Sequence, residues 1–293
     1  MKERTIYALG FFDGVHTGHQ ALLRQCRRLA DEMGCKAGVV TFLGHPDTLV
    51  YGTAPRLINA PQDRKKLLRQ LYMDTVVELP FDEAMMRMSW QAFFRMLLQE
   101  YHAAGLVCGA DFRFGNRGAG TAELLEEACH REGIPCIVVP EQRIDGITVS
   151  STYIRSLLEA GRLEEANRFL GHDHVLTGTV VAGRGLGRTI GIPTANVLLP
   201  EGVVVPLQGV YACLARVEAH TYVAVTNVGS RPTVGGHQVR TESWLLDYAG
   251  DLYGKEITLQ FHKFLRPEQK FDSLEALCQQ VRKDAAQAFQ LLK

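Results

Sequence analysis

Short apolar runs alternate with longer amphipathic stretches through the first half of the chain. The runs at residues 5–9, 37–42, 75–79, 106–109 and 136–139 predict strands, and the helical spacing at 20–32, 62–72, 90–102 and 121–131 predicts helices between them. Strands that are nearly all apolar and separated by helices imply an α/β domain, a parallel sheet covered on both faces. Ligands of such sheets sit beyond the carboxyl ends of the strands, so motifs at those ends carry the most weight.

Two more helices are expected at 151–159 and 163–170, and after Gly171-His172 the pattern changes. Residues 175–181, 195–199, 210–217, 222–228, 243–248 and 256–264 are β-rich runs punctuated by Gly, Pro, Asn and Asp. In the last run Ile257, Leu259 and Phe261 alternate with Thr258, Gln260 and His262, the two-residue period of a half-buried strand. Many short strands with turn punctuation predict a small β-barrel, closed by an amphipathic helix over 273–292. The 293 residues therefore divide into two expected domains, 1–172 and 173–293.

Composition narrows the classes. The chain is 46% hydrophobic and 22% charged, enough apolar surface for a core in each half. Residues 1–172 carry 20 basic and 21 acidic side chains, and 173–293 carry 12 and 11, so neither half has the basic excess of a nucleic-acid-binding domain. No apolar run approaches the roughly 18 residues of a membrane span, and residues 1–5 do not open a secretory apolar core. Seven scattered cysteines without a C-x-x-C pair read as reduced core thiols. The expectation is a cytoplasmic protein whose partners are small molecules, with no nucleic acid and no membrane; its oligomeric state is left open.

The first chemical constellation is Gly10-Phe11-Phe12-Asp13-Gly14-Val15-His16-Thr17-Gly18-His19, between the first strand and the first helix. Gly14 and Gly18 permit a tight turn and close backbone approach to a ligand. The helix start directs unpaired N–H groups and a positive dipole end at that turn, an anion site. His16 and His19 add imidazole donors for charge that builds on a nucleotide α-phosphate under attack. A solvated glycine turn with capping histidines is the plainer alternative. No G-x-x-x-x-G-K-[ST] phosphate loop is present.

These residues resemble the HxGH nucleotidyltransferases, and the longer string resembles the adenylyltransferase half of the bacterial bifunctional riboflavin kinase/FAD synthetase family. Gly109-Ala110-Asp111-Phe112-Arg113-Phe114-Gly115 is similar to that family's flavin-contacting segment, and Val149-Ser150-Ser151-Thr152-Tyr153-Ile154-Arg155 to its helix-start motif. The resemblance implies a Rossmann-like domain, nucleotide contacts from Gly10, Phe11, Asp13, Gly14, Gly18, Ser150, Ser151 and Thr152, and flavin contacts from Asp111, Phe112 and Phe114. Arg155, one turn inside its helix, would neutralise the departing pyrophosphate. One departure is Leu43-Gly44 before His45-Pro46, where relatives carry an acidic or polar residue and a proline.

The second constellation is Gly183-Arg184-Gly185-Leu186-Gly187-Arg188-Thr189-Ile190-Gly191. It fails the dinucleotide fingerprint, because Arg188 stands where G-x-G-x-x-G needs its third glycine and a strand-like run follows. It reads as a flap whose amides cover a phosphate tail, with Gly183, Gly185 and Gly187 as nucleotide contacts. In Pro193-Thr194-Ala195-Asn196 a hydroxyl and an amide carbonyl two residues apart share a strand face, hard oxygen ligands suited to Mg²⁺. A proline-initiated strand with an Asx turn fits the same four residues. The whole string resembles the riboflavin kinase signature, as do Asn227–Thr233, Glu242–Asp247 and Gly250–Lys255.

The resemblance implies a small antiparallel riboflavin-kinase barrel in which Thr194 and Asn196 hold Mg²⁺, Thr194 also meets nucleotide, and Glu242 is the catalytic base. Trp244 stands where many relatives carry histidine. Phe264-Leu265-Arg266-Pro267-Glu268-Gln269-Lys270-Phe271 resembles the loop beside the flavin ring, with Arg266 and Phe271 as contacts or as ordinary strand-end packing. The expected activity has two steps: ATP phosphorylates riboflavin to FMN, then a second ATP donates AMP to FMN, giving FAD and pyrophosphate. His16, His19, Arg155 and Glu242 would be the catalytic residues. A kinase with a weakened adenylyltransferase half and a non-catalytic flavin sensor are the rival readings.

Overall fold

In this computed structural model the described residues are 4–183, 187, 191–233 and 236–293, with the backbone alone described over 230–233 and 236–240. The chain divides into two compact units. One comprises Met1–Arg56 and Arg64–Ser151, and the other Leu57–Asp63 and Thr152–Lys293.

The first unit is built on strands β1 (Thr5–Leu9), β2 (Lys36–Phe42), β3 (Thr75–Leu79), β4 (Ala103–Gly109) and β7 (Cys136–Val139). They form a parallel sheet in the order β3-β2-β1-β4-β7. Two-residue strands β5 (Arg113–Phe114) and β6 (Gly120–Thr121) make one hairpin, and β8 (Arg143–Ile144) and β9 (Ile147–Thr148) another. Elements this short carry no periodicity, which is why the sequence pattern does not announce them. Helices α1 (Thr17–Glu32), α2 (Asp47–Tyr51), α3 (Pro61–Gln70), α4 (Glu83–Arg87), α5 (Trp90–Gln99) and α6 (Ala122–Arg131) complete the element order.

Central β1 is buried along its whole length, and its side chains alternate between two cores. Ile6 and Ala8 join Leu22 and Cys26 of α1 on one face, while Tyr7 and Leu9 meet Phe93 and Leu97 of α5 on the other. Helix starts are set by side-chain caps: Ser89 Oγ accepts from the Ala92 N–H at 3.2 Å, and Thr121 Oγ1 from the Leu124 N–H at 3.3 Å. The helix predicted over 90–102 ends at Gln99, because the backbone reaches the left-handed region at His102, φ 53°.

The second unit is a closed antiparallel barrel, ordered β10-β11-β14-β13-β12-β15 around the ring. Its strands are β10 (His174–Val181), β11 (Ala195–Leu198), β12 (Gly209–Val217), β13 (His220–Thr233), β14 (Gly236–Leu245) and β15 (Glu256–Arg266). Helices α7 (Ser151–Glu159) and α8 (Leu163–Leu170) precede it and a C-terminal helix, Leu274–Leu292, follows. That helix is tied to the end of β15 by a fork: Arg266 Nε and Nη2 donate to Asp284 at 3.0 and 2.8 Å, with Asp284 almost wholly buried.

Helices α7 and α8 pack in one compact unit with the barrel. Within the second unit Asn167 of α8 donates to the Phe261 carbonyl at 2.8 Å and accepts from the His174 N–H at 2.9 Å. The segment Leu57–Asp63 also belongs to this unit: the Leu57 N–H bonds the Gly202 carbonyl, and buried Asp63 accepts from the Thr177 N–H at 2.9 Å. Such single hydrogen bonds leave no trace in hydrophobic periodicity.

His174, at the start of β10, is fully buried, and its Nε2 faces the Val204 carbonyl at 3.2 Å. Burial pulls its pKa down to about 3, with the neighbouring His172 pushing the same way. The folded state therefore refuses a proton that the unfolded chain accepts near pH 6.5, so stability falls as pH drops below that value. Between pH 6.5 and 5 the wild type is expected to lose about 2 kcal/mol more than His174→Gln. Urea unfolding of both proteins across that range measures the difference.

Candidate active sites

The first site grows from the end of β1. Gly10 leads into a 3₁₀ turn, Asp13–Val15, flanked by backbone that few side chains tolerate: Phe12 has φ 59° and Val15 φ 41°, with Gly14 at φ 80° between them. Such conformations cost on the order of 1–3 kcal/mol each for residues with a Cβ and persist only where the surroundings overdetermine them. Here Phe12, Asp13 and Val15 are all buried. Ser151 Oγ adds a hydrogen bond to the Asp13 carbonyl at 2.9 Å.

The turn delivers His16 as the N-cap of α1. Its Nδ1 accepts from the His19 N–H at 3.2 Å, so the ring's proton is carried on Nε2. The His16 and His19 rings stack with centroids 3.5 Å apart and planes 12° from parallel, and Phe12 meets the His19 ring edge-on at 5.2 Å. Burial, the adjacent His16 and the Arg64 charge hold the His19 pKa well below its ordinary value. The site thus offers neutral imidazole beside the amides of a helix start, which suits a ligand bearing its own negative charge.

Arg64 on α3 is the part that sequence reading passed over. The residue is 1% exposed, and its guanidinium donates to the carbonyls of Phe11 at 3.2 Å and Phe42 at 2.6 Å. It also lies over the Phe11 ring at 4.6 Å, and Thr41 Oγ1 bonds the same Phe11 carbonyl at 3.0 Å. The carboxyl ends of β1 and β2 are thereby clamped together. In the sequence Arg64 sits in Asp63-Arg64-Lys65-Lys66, a charged run with nothing to mark one member as buried.

A cavity of about 1150 Å³ opens beyond these strand ends. Gly10, Phe11, His16, Gly18 and His19 line one wall, Asp111, Phe112 and Phe114 another, and Ser150 and Ser151 reach it too. Phe112 and Phe114 stack at 5.3 Å, and buried Phe114 packs on Phe93, so this aromatic wall is rooted in the core. Asp13 and Gly14 form the turn behind the wall rather than the wall itself. Thr152 and Arg155 belong to the second unit, Arg155 half-buried one turn inside α7.

The second site lies on the barrel. Strand register places Glu242 of β14 opposite Asn196 of β11 on one side and Asn227 of β13 on the other. The three side chains therefore share one face in a row, each half-buried. Thr194 is exposed immediately before β11. Gly183 and Gly187 pass close to these donors: a Cβ on Gly183 would collide with the Asn196 amide, and one on Gly187 would sit 3.2 Å from Thr194 Oγ1. Gly185 lies outside the described residues.

Asn227 was part of a recognised block without an assigned role, and the structure pairs it with Glu268: its Nδ2 donates to Glu268 Oε1 at 3.0 Å. Arg266 is engaged by Asp284, and its guanidinium carbon lies 5.7 Å from the centre of the half-buried Phe271 ring. Of the loop expected beside a flavin, Glu268 is thus the member that reaches the Glu242 row. Among the described residues no group of three or more His, Cys, Asp or Glu could hold a metal ion, and no helix is long and apolar enough to cross a membrane. Thr194 and Asn196 offer hydroxyl and amide oxygen, a donor set that suits Mg²⁺ when phosphates supply the charge.

An α/β unit with a histidine turn at its strand ends and a closed barrel with a carboxylate–amide row make up the chain, and the comparisons place both among transferases. The model of the FAD synthetase family matches residues 1–153, and that of riboflavin kinase matches 170–292. Proteins described as bifunctional riboflavin kinase/FMN adenylyltransferase are 37% identical in Pseudomonas fluorescens over 97% of this chain and 91% of the relative. In Listeria monocytogenes the figure is 34% over 95% and 90%. A solved Streptococcus pneumoniae structure described as a macrolide-efflux protein superposes with a TM-score of 0.87 at 30% identity, covering 98% of this chain and 94% of that one. The chain belongs to the bifunctional riboflavin kinase/FMN adenylyltransferase family.

Removing the Arg64 charge takes the donor from the Phe42 carbonyl and leaves the Phe11 carbonyl with Thr41 Oγ1. Arg64→Met is expected to lower the unfolding free energy by about 3 kcal/mol, and Arg64→Lys to recover only part of the loss because an ammonium cannot fork between the two acceptors. Denaturant midpoints at constant m-value measure both.

Proposed function

We propose that this chain makes both flavin cofactors, phosphorylating riboflavin on the barrel and adenylylating FMN in the α/β unit. The observation that supports the reading is the presence in one chain of the stacked His16/His19 pair beside a cavity and the Glu242 row on the barrel.

In the first step the ribityl 5′-hydroxyl of riboflavin attacks the γ-phosphorus of ATP, forming FMN and releasing ADP. Glu242 accepts the hydroxyl proton, and the flanking Asn196 and Asn227 amides orient the carboxylate and the incoming oxygen. Thr194 and Asn196 hold Mg²⁺, which neutralises phosphate charge when bound. Gly183 and Gly187 let the backbone lie against those ligands. Phe271 supplies an apolar face for the isoalloxazine ring, and the Glu268–Asn227 hydrogen bond connects that loop to the base.

In the second step an FMN phosphate oxygen attacks the α-phosphorus of a second ATP, and pyrophosphate leaves. His16 donates through Nε2 to the α-phosphate oxygens, and His19, held neutral when the site is empty, strengthens as a donor when bound phosphates offset its desolvation. Gly10, Phe11 and Gly18 receive the nucleotide, Ser150, Ser151 and Thr152 bond its phosphates, and Arg155 balances the leaving pyrophosphate. Asp111 and the Phe112/Phe114 wall receive the flavin. Riboflavin, FMN, FAD, ATP, ADP and pyrophosphate are the partners, the setting is the cytoplasm, and the functional division is 1–172 and 173–293.

Purified full-length chain incubated with riboflavin, ATP and Mg²⁺ is expected to yield FMN followed by FAD, resolved by chromatography. Glu242→Gln should slow FMN formation by about 10²–10⁴-fold while FMN supplied directly still becomes FAD. His19→Ala should do the reverse, losing about 10²–10³-fold in the adenylyl step so that FMN accumulates. If each substitution stops both steps in folded protein, the two-site reading is wrong.

Gly183→Ala addresses the close approach in the barrel. Its methyl displaces the Asn196 amide, and phosphorylation is expected to fall about a hundredfold with adenylyl transfer unchanged. Initial rates of the two steps, assayed separately with riboflavin and with FMN, check this.

A further inference from the structure

Among the described residues the Glu242 carboxylate has no hydrogen-bond or ion-pair partner, although an asparagine stands opposite it on each neighbouring strand. Residues directly opposite across antiparallel strands have Cβ atoms about 5 Å apart, within reach of an Asn NH₂ group and a Glu carboxylate. Asn227 does not make that bond. Its NH₂ group goes the other way, and Nδ2 donates to Glu268 Oε1 at 3.0 Å.

Glu268 is delivered to that point by a chain of contacts rooted in the C-terminal helix. Gln280 and the Arg266 fork both donate to the almost wholly buried Asp284, and Arg266 Nη1 also donates to the Pro267 carbonyl at 3.2 Å. Proline fixes its own φ at about −65°, so Glu268 leaves a backbone with little freedom. On the receiving side Gly229 stands two residues beyond Asn227 on β13. A Cβ at Gly229 would lie 2.6 Å from Glu268 Oε1, so the carboxylate occupies a seat made by one amide and one missing side chain.

A carboxylate only accepts hydrogen bonds, so it decides which edge of the planar Asn227 amide turns towards it. Glu268 takes the NH₂ edge, and the carbonyl oxygen is left on the other. We propose that Glu268 is a positioning residue for the phosphorylation step, one that keeps the Asn227 NH₂ group off the Glu242 carboxylate. The inference rests on the proposed role of Glu242 as the base that takes the riboflavin hydroxyl proton.

Without Glu268 the Asn227 amide is free to turn, and the Glu242 carboxylate is the acceptor one strand away. A carboxylate that receives an amide hydrogen bond holds a proton less readily and must give up that bond to take one. With the NH₂ group occupied, Glu242 and the Asn227 carbonyl oxygen are two neighbouring acceptors, a pair that suits a hydroxyl donor. Asn227 then acts on the incoming ribityl oxygen. As that oxygen bonds the γ-phosphorus and ADP leaves, its proton passes to Glu242. Glu268 is exposed, so its hydrogen bond exchanges with water and adds little to stability; its effect falls on the orientation of the amide.

Initial rates of FMN formation by the full chain, with riboflavin varied at saturating ATP and Mg²⁺, test this. Glu268→Ala is expected to lower kcat about tenfold while KM for riboflavin moves by less than about threefold, the effect of one misdirected hydrogen bond to a charged group. Glu268→Gln offers a carbonyl oxygen to the same NH₂ group and is expected to recover kcat to within about threefold of the wild type. Gly229→Ala pushes aside only the flexible end of the Glu268 side chain, and should match Glu268→Ala in kcat with an unchanged denaturant midpoint. In an Asn227→Ala background, Glu268→Ala should cost no more than about twofold further, because the amide it holds is gone. A rise in KM with kcat unchanged would show that Glu268 merely fastens the loop. Glu268→Gln as slow as Glu268→Ala would show that the charge itself is used, and a full loss in the Asn227→Ala background that Glu268 acts elsewhere; each overturns the proposal. If the wild type makes FMN and Glu268→Ala keeps pace with it, this inference fails alone, whereas a wild type that makes no FMN sinks the proposed function.

Discussion

Burying the Arg64 guanidinium almost completely would cost several kcal/mol if its donors and charge were left unanswered. They are answered by the Phe11 and Phe42 carbonyls, by the face of the Phe11 ring, and through space by the Asp13 and Glu78 carboxylates, which oppose the downward pull of burial on its pKa. In return, the cation sets where β1 and β2 stop. The left-handed turn at Phe12, the cap at His16 and the stacking of His16 on His19 are built outward from that point. The same charge discourages a proton on His19, so a structural clamp also sets the electrostatic state of the site.

The barrel solves a different problem. Its closed ring leaves no free edge, and the row Asn196–Glu242–Asn227 is placed by antiparallel register across three strands distant in sequence. Around that row, glycine is demanded by proximity rather than by φ at Gly183, where any side chain would meet the Asn196 amide. The loop after β15 is secured from below by the Arg266–Asp284 fork and from above by Glu268 on Asn227. Arg266 therefore serves the loop's position, while Glu268 is its contact with the row.

In the proposed roles, the histidine pair and the two asparagine amides are neutral groups held in place by the fold. Such placement suits phosphoryl and adenylyl transfer, in which positioning and charge stabilisation carry most of the catalysis. The units that carry the sites have separate cores, which allows each to keep its own geometry through a different reaction.

Much of the fold was legible from local pattern. All five strands of the parallel sheet, four long helices of that half and five of the barrel strands stand close to where hydrophobic periodicity predicts them, because side-chain period is a local property of strand and helix, while β14 spans Gly236–Leu245 where the pattern predicts 243–248. The histidine turn and the kinase string were legible for a related reason: glycine spacing and paired polar residues record backbone and ligand demands within a few positions. What needed tertiary structure was everything decided by partners far apart in the chain. Arg64 looks like its charged neighbours until it is buried, Glu268 gains meaning only when β13 comes beside it, and Leu57–Asp63 joins the barrel through hydrogen bonds that no composition reveals. Sequence alone determined the long elements and the candidate residues for chemistry; the tertiary structure decided which of them meet, since burial and long-range hydrogen bonding are properties of the folded chain and not of any window within it.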